Sequence, residues 1–243
     1  VNEYPLVFDN HDLTKLFGVE WPITRSAASW EPSVVDVPGR NGAVFGGTKA
    51  QPMDVSMRLW TLAETREQRQ QDVRTLAAWL AVDGPRPLYL GDEGGLWRMA
   101  IPAGNMDVSA YLNAESIPVT FRCLDPVLYG DRAGVEVPSG GSVTFLVGGT
   151  APTFPTVTAS SAHEDGTAGY WRLWLDEQTH LDADTGASSV PVSADCERRV
   201  LTVNGDVQML NPFADWLRLT PGTHTIRMVG TGAASVQWVE RWW

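Results

Sequence analysis

The sequence of 243 residues predicts a mainly β protein with one α-helix and, in its second half, a β-sandwich. Three observations predict this. Short apolar runs alternate with polar residues at period two. Only residues 61–84 carry a helical apolar stripe. Glycine (23) and proline (16) punctuate most of the remainder, keeping the runs short.

Taken in order, residues 3–17 read as a strand, a turn at Asp9-Asn10 and a second short strand. Trp21-Pro22-Ile23 continues extended, because a residue before proline is pushed away from helix. Residues 34–47, VVDVPGRNGAVFGG, begin as a β-branched run and break at Pro38-Gly39. Proline fixes φ, glycine permits positive φ, and Asn41-Gly42 is a strong short hairpin signal. Two turn formers within five residues, flanked by strand-like sequence, predict a structured, projecting hairpin.

Residues 53–60 alternate cleanly. Met53, Val55, Met57 and Leu59 take one face; Asp54, Ser56 and Arg58 take the other. In the helix, Thr61 with Glu64 and Thr65 with Gln68 both fit a capping box. Val73, Leu76, Ala77 and Leu80 form the apolar stripe, with Trp79 beside it and Asp72 on the polar part. Gly84-Pro85 ends the helix. Residues 88–90 and 96–101 read as a hairpin about Gly91 to Gly95. Ile117, Val119, Phe121 and Cys123 alternate in the next strand, where Pro118 predicts an edge position.

Residues 131–142 are rich in Gly, Ser and Pro and predict a linker. They divide the chain into a domain over 1–130 and a second over 143–243. The second domain reads as seven strands, at 143–147, 154–159, 170–176, 199–203, 216–219, 223–229 and 235–242. Turn signals such as Asn204-Gly205 and Pro221-Gly222 separate them, the pattern of a β-sandwich.

The formal net charge of −11 speaks against chain-wide binding to nucleic acid or anionic membrane, both of which need a basic surface. No run approaches the roughly 18 apolar residues of a membrane helix. The N-terminal residues lack the basic-then-apolar order of a secretory signal. Cys123 and Cys196 read as reduced thiols.

Sequence motifs for catalysis or metal binding are missing. His11, His163, His180 and His224 lie in no HExxH pattern and near no cysteine pair, and His163 and His180 read as loop residues. No GxSxG elbow or phosphate loop occurs. Asp182, Asp184 and Gly186 resemble the start of a calcium loop. However, Gly stands at the fifth position and Ser193 at the twelfth, so an acidic solvated loop is expected there. Tyr170, Trp171 and Trp174 invite a sugar-platform reading. Trp171 and Trp174 have opposite strand parity, so one of the pair belongs in the core. Trp238 also reads as core.

The order of parts resembles the distal tail protein family of long-tailed, siphovirus-type bacteriophages. The resemblance rests on VPGRNGAVFGG, the helix ending LAAWL, LYLGDEGGLWRMAIPAG and SIPVTFRCLDP. In the second half it rests on DCERRVLTVNG, LTPGTHTIRMVG and VQWVERWW. It implies an N-terminal β-sandwich like a tail-tube subunit, with one helix and an extended hairpin, followed by a galectin-like β-sandwich. It also implies a ring of six copies around a DNA channel. That ring would join the tail tube protein to the tail hub or tip protein, with the tape-measure protein and receptor-binding components as further partners. The family is structural and uses no cofactor. The resemblance places Val37, Pro38, Gly39, Arg40, Asn41 and Gly42 in the inter-subunit hairpin, with Arg40 a candidate to pair with an acidic group on a neighbour. It implies a virion location at the tail tip, with assembly in the host cytoplasm. The competing reading is a carbohydrate-binding module that uses the C-terminal sandwich.

Overall fold

Apolar side chains gather in two separate clusters in the computed structural model, one in each of the two units into which the chain divides. The structure describes residues 4–104, 113, 116–161, 169–186, 190–230 and 232–243. The first unit is Val1–Leu128 with Trp243; the second is Tyr129–Trp242.

The first unit contains β1 (Leu6–Phe8), β2 (His11–Asp12), β3 (Phe17–Val19), β4 (Thr24–Arg25), β5 (Trp30–Asp36), β6 (Ala43–Ala50) and β7 (Met53–Thr61). These are followed by α1 (Arg66–Leu80), β8 (Arg86–Leu90), β9 (Trp97–Ala103) and β10 (Ile117–Cys123). Strands run antiparallel in the order β2-β1-β8-β9-β10-β7, and β3 and β4 share the far side of β7. The alternation in β7 is as predicted: Met53, Val55, Met57 and Leu59 are buried. Across from them stand Cys123, Phe121, Val119 and Ile117 of β10, also buried, so each rung of the ladder places an apolar pair in the core.

The helix starts at the second of its two predicted caps. The Thr65 hydroxyl accepts from the Gln68 N–H at 3.2 Å, whereas Thr61 is the last residue of β7. Val73 and Leu76 are buried against the sheet cluster. Ala77, expected in the stripe, is exposed, and Asp72, expected in solvent, is buried. The buried face is therefore rotated towards Asp72 relative to the apolar pattern. Trp79 stacks on His11 with ring centroids 4.8 Å apart.

Pro118 does not mark an edge strand, since β10 is flanked by β7 and β9. The described pairing with β9 covers only Thr120, Phe121 and Arg122, so Pro118 lies outside it and withholds no ladder hydrogen bond there.

The stretch expected as a linker is mostly strand. β11 (Leu128–Val137) runs through it, and only the turn at Pro138 to Gly141 breaks the chain, closed by the Gly141 N–H to the Pro138 carbonyl at 3.0 Å. Ala133 and Val135 pack on the second core and Val137 is buried within it, while Arg132, Gly134 and Glu136 face outward. Glycine and charge on the outer face conceal this alternation in the composition.

The second unit continues with β12 (Ser142–Val147), β13 (Thr156–Ser161), β14 (Gly169–Leu175), β15 (Thr179–Gly186), β16 (Val190–Asp195), β17 (Val200–Val203) and β18 (Asp206–Gln208). It ends with β19 (Gly222–Val229) and β20 (Ala234–Trp242). Two layers, β18-β17-β16-β13-β20-β11 and β12-β19-β14-β15, share one core. Trp171 is fully buried in it, with Leu173, Leu181, Ile226 and Val236. This is the sandwich the sequence predicts, with strands β11, β15, β16 and β18 added. The predicted strand over 216–219 makes only an isolated bridge, between Leu219 and Thr153.

Candidate functional site

Strands β5 and β6 pair with each other and, among the described residues, with nothing else. All seven residues of β5 are exposed. Neither strand contributes to either core cluster. A two-stranded ribbon is marginally stable in water by itself and normally needs a third strand or a packed face. Here the ribbon carries Trp30, Val34, Val35, Val37 and Phe45 into solvent.

The tip shows why this sequence turns here. The Arg40 N–H bonds to the Val37 carbonyl at 3.2 Å, with Pro38 and Gly39 between them and Gly39 at φ 82°. That is a type II turn, in which proline supplies the fixed φ at the second position and glycine the positive φ at the third. Gly42, at φ 79°, returns the chain to β6. Val37, Pro38, Gly39, Arg40, Asn41 and Gly42 thus form a single exposed loop between two paired strands. Near the base, Glu31 lies opposite Lys49, and its carboxylate accepts from the Gln51 amide at 2.8 Å.

Partway along the ribbon the register slips. Ser33 pairs with Gly47 and Val34 with Phe45, which leaves Gly46 as a bulge. A Cβ at Gly46 would meet Ser33 at ordinary contact distance, whereas Gly47 beside it has φ 128°, a backbone that favours glycine. The sequence draws attention to the turn, but the exposed apolar strands on either side are equally part of the surface. The signal for them is the run of apolar residues of both parities in Val34, Val35, Val44 and Phe45.

The other candidates resolve differently. The acidic stretch near Asp182 is a strand, β15, rather than a loop. Asp182 is buried; one carboxylate oxygen accepts from Arg172 at 3.0 Å and the other from the Asn211 amide at 2.9 Å. Its carboxylate is therefore occupied by protein donors. His180 also sits in β15, its ring 4.4 Å from that of Trp174. Among the described residues no group of three or more His, Cys, Asp or Glu is placed to hold a metal ion. His163 and most of the 160–169 loop lie outside the described residues. Trp171 is core, as parity requires, while Trp174 is half-buried, with the Arg172 guanidinium 5.7 Å above its ring. Trp238 is core as well. No helix among the described residues is long and apolar enough to cross a membrane.

Comparison with known proteins gives matches in both halves. Residues 9–123 match the family model of the phage tail protein RIFT-related domain. Residues 148–242 match that of the siphovirus-type tail component, C-terminal domain. Among solved structures, the chain is similar to the crystal structure of the SPP1 Dit (gp 19.1) protein, described as a paradigm of hub adsorption apparatus in phages infecting Gram-positive hosts. That likeness has a TM-score of 0.75 at 20% identity and covers 98% of both chains. It is a likeness of fold. Two structures of the phage p2 baseplate in its activated conformation, with Sr and with Ca, align at 12% identity and a TM-score of 0.48. They cover 96% and 98% of this chain and 97% of each of theirs. No curated protein sequence matches the chain.

Proposed function

The chain belongs to the distal tail protein family of siphovirus-type phages, and we propose that it forms the ring of the baseplate hub, joining the tail tube to the tail tip and host-recognition apparatus. The observation that carries this reading is the β5–β6 ribbon, whose apolar side chains lie exposed in the single chain. An exposed apolar surface of this kind marks an interaction site.

In this reading six copies close into a ring around a channel for DNA, with the ribbon reaching between subunits. The second unit forms a galectin-like platform for receptor-binding components. The tail tube protein and the hub or tip protein take the two ends of the ring, and the tape-measure protein passes through it. The subunit is made in the host cytoplasm and resides at the tail tip of the virion. An overall charge of −11 is compatible with a channel that repels DNA instead of holding it. The role is structural. A sugar-platform role has less support, since Trp171 is wholly buried and Trp174 is flanked by His180 and Arg172.

Imaging of the particle tests this directly. Six copies around a channel at the end of the tail tube are expected. A particle in which this chain forms no ring would overturn the reading.

A further inference from the structure

We propose that the outer face of β11 and β20 binds a neutral oligosaccharide, held by hydrogen bonds in a groove over Gly134. The site lies on the other layer of the sandwich from Trp174 and is independent of the ring reading.

Alternation along β11 turns Arg132, Gly134 and Glu136 to solvent, while Ala133 and Val135 pack on the core. On the adjacent strand β20, Ser235 and Gln237 face the same way, because Ala234, Val236 and Trp238 are buried. Arg132, Gly134, Glu136, Ser235 and Gln237 line a groove of about 460 Å³. Gly134 is what leaves it open. A Cβ there would lie 3.1 Å from the Val236 carbonyl oxygen and 3.2 Å from Gln237 Cγ, so a larger side chain would crowd Gln237 and occupy the groove.

The groove continues as a row of hydroxyls. Ser235 pairs with Thr158 on β13, Thr158 with Ser193 on β16, and Ser193 with Thr202 on β17. Paired residues share a face and neighbouring strands stand about 4.8 Å apart, so these hydroxyls cross the outer face in line from the groove. The Thr202 hydroxyl donates to the Ser193 carbonyl at 3.3 Å and keeps its lone pairs as acceptors. The row itself carries no charge, in a chain whose net charge is −11.

Chemistry identifies the ligand. Arg132 donates, Glu136 accepts, and Ser235 and the Gln237 amide do both. A sugar hydroxyl also donates and accepts, so it can use every one of these groups. Arg132 and Glu136 cancel in charge, and among the described residues neither has an ion-pair or hydrogen-bond partner. An anionic ligand would meet Glu136 and the field of an acidic chain. A partner protein would need an apolar, commonly aromatic, centre to its contact, and no aromatic side chain lines the groove.

Titration calorimetry on the full chain tests this with neutral tri- and tetrasaccharides of glucose, galactose and N-acetylglucosamine. At least one is expected to bind the wild type. R132A and E136A should each weaken that binding about 10-fold or more, the loss typical of removing a charged hydrogen-bonding partner. G134L should abolish it by filling the groove. Arg132 and Glu136 are exposed, so the two alanine variants should unfold at the wild-type temperature. Failure of all these sugars to bind at millimolar concentration overturns the inference, as does binding that survives G134L or both alanine variants. A groove that takes no sugar, in a chain whose R132A variant fails to join the particle, belongs to a protein partner, and that outcome also overturns it. The ring is decided separately, by the image of the particle.

Discussion

The His224 ring nitrogen Nδ1 lies 2.6 Å from the Asp176 carboxylate, tying β19 to the turn between β14 and β15. That turn is tight: Asp176 and Glu177 both have positive φ, at 50° and 57°. The Thr220 carbonyl accepts at the other ring nitrogen, 2.7 Å away. The second oxygen of Asp176 accepts from the Thr225 N–H at 2.7 Å.

The Asp176 carboxyl should therefore contribute to the acid limb of stability. Partial burial works against its charge, but the Thr225 N–H and His224 outweigh it and hold the carboxyl below the usual carboxylate range. A carboxylate depressed in this way stabilises the fold above its unfolded-state pKa, and the contribution is lost as pH falls through the lower folded-state value. D176N is expected to destabilise the second unit by about 1 kcal/mol at neutral pH, a modest figure because the group is partly exposed. Asparagine tolerates the positive φ, so the change reports charge and not backbone strain. Thermal unfolding from pH 2 to pH 7 should show the variant's deficit shrinking towards acid. A constant deficit across that range would dismiss the ionic contribution.

At the ribbon tip, R40E is expected to leave the unfolding temperature unchanged and to abolish self-association. Arg40 stands in the exposed loop of an acidic chain, and reversing its charge sets like charge against like charge at the contact. Deletion of residues 39–46 should act in the same way. Mixing experiments with wild-type chain, read by sedimentation, check this; normal assembly of either variant would remove the tip from the interface.

Asp72 makes the opposite case to Asp176. It is buried on α1, and burial alone pushes its carboxyl upward. A raised carboxyl favours the protonated folded state, so its stabilising contribution is present at acid pH and lost as pH rises through the folded-state value. D72N removes the buried charge but keeps a polar side chain, and should raise stability by at most about 1 kcal/mol at neutral pH. Below the ordinary carboxylate range the gain should vanish. Chemical denaturation at pH 7 and pH 3 distinguishes these outcomes, and equal gains at both would contradict the titration argument.

Both cysteines should be inert in the native protein. Burial pushes the Cys123 thiol up to about 11 and the Cys196 thiol up to about 12, leaving almost no thiolate at neutral pH. Alkylation at pH 8 is expected to be negligible in buffer and complete in denaturant. Mass spectrometry checks this; rapid labelling of either thiol in native buffer would show that its surroundings open readily.

The amphipathic elements were readable from sequence because burial on one side imposes a period. β7, β10 and the Val73 and Leu76 positions of α1 follow directly from alternation or helical spacing. Three elements were obscured by polar residues within them, some facing outward and some buried. β11 mixes Gly134 with Arg132 and Glu136 and so looks like a linker, although Ala133 and Val135 keep the inward parity. β15 looks like an acidic loop because Asp182 and Asp184 interrupt Leu181 and Ala183. Only the fold supplies Arg172 and Asn211, which make Asp182 tolerable inside. The helix pattern gave no warning of Asp72, whose burial depends on tertiary packing. At the ribbon, the turn chemistry of Pro38, Gly39 and Gly42 was legible, whereas the separation of β5 and β6 from the other strands was not.

The isolation of β5 and β6 from both sheets also bears on when the chain becomes fully ordered. Amides held only by a lone pair of strands exchange with solvent through local opening, independently of the cores. In a free subunit the ribbon amides should exchange far faster than those of β7 or β20, and protection should arrive with the neighbouring subunit. If the proposed ring closes through this segment, association is expected to be the final step of its folding.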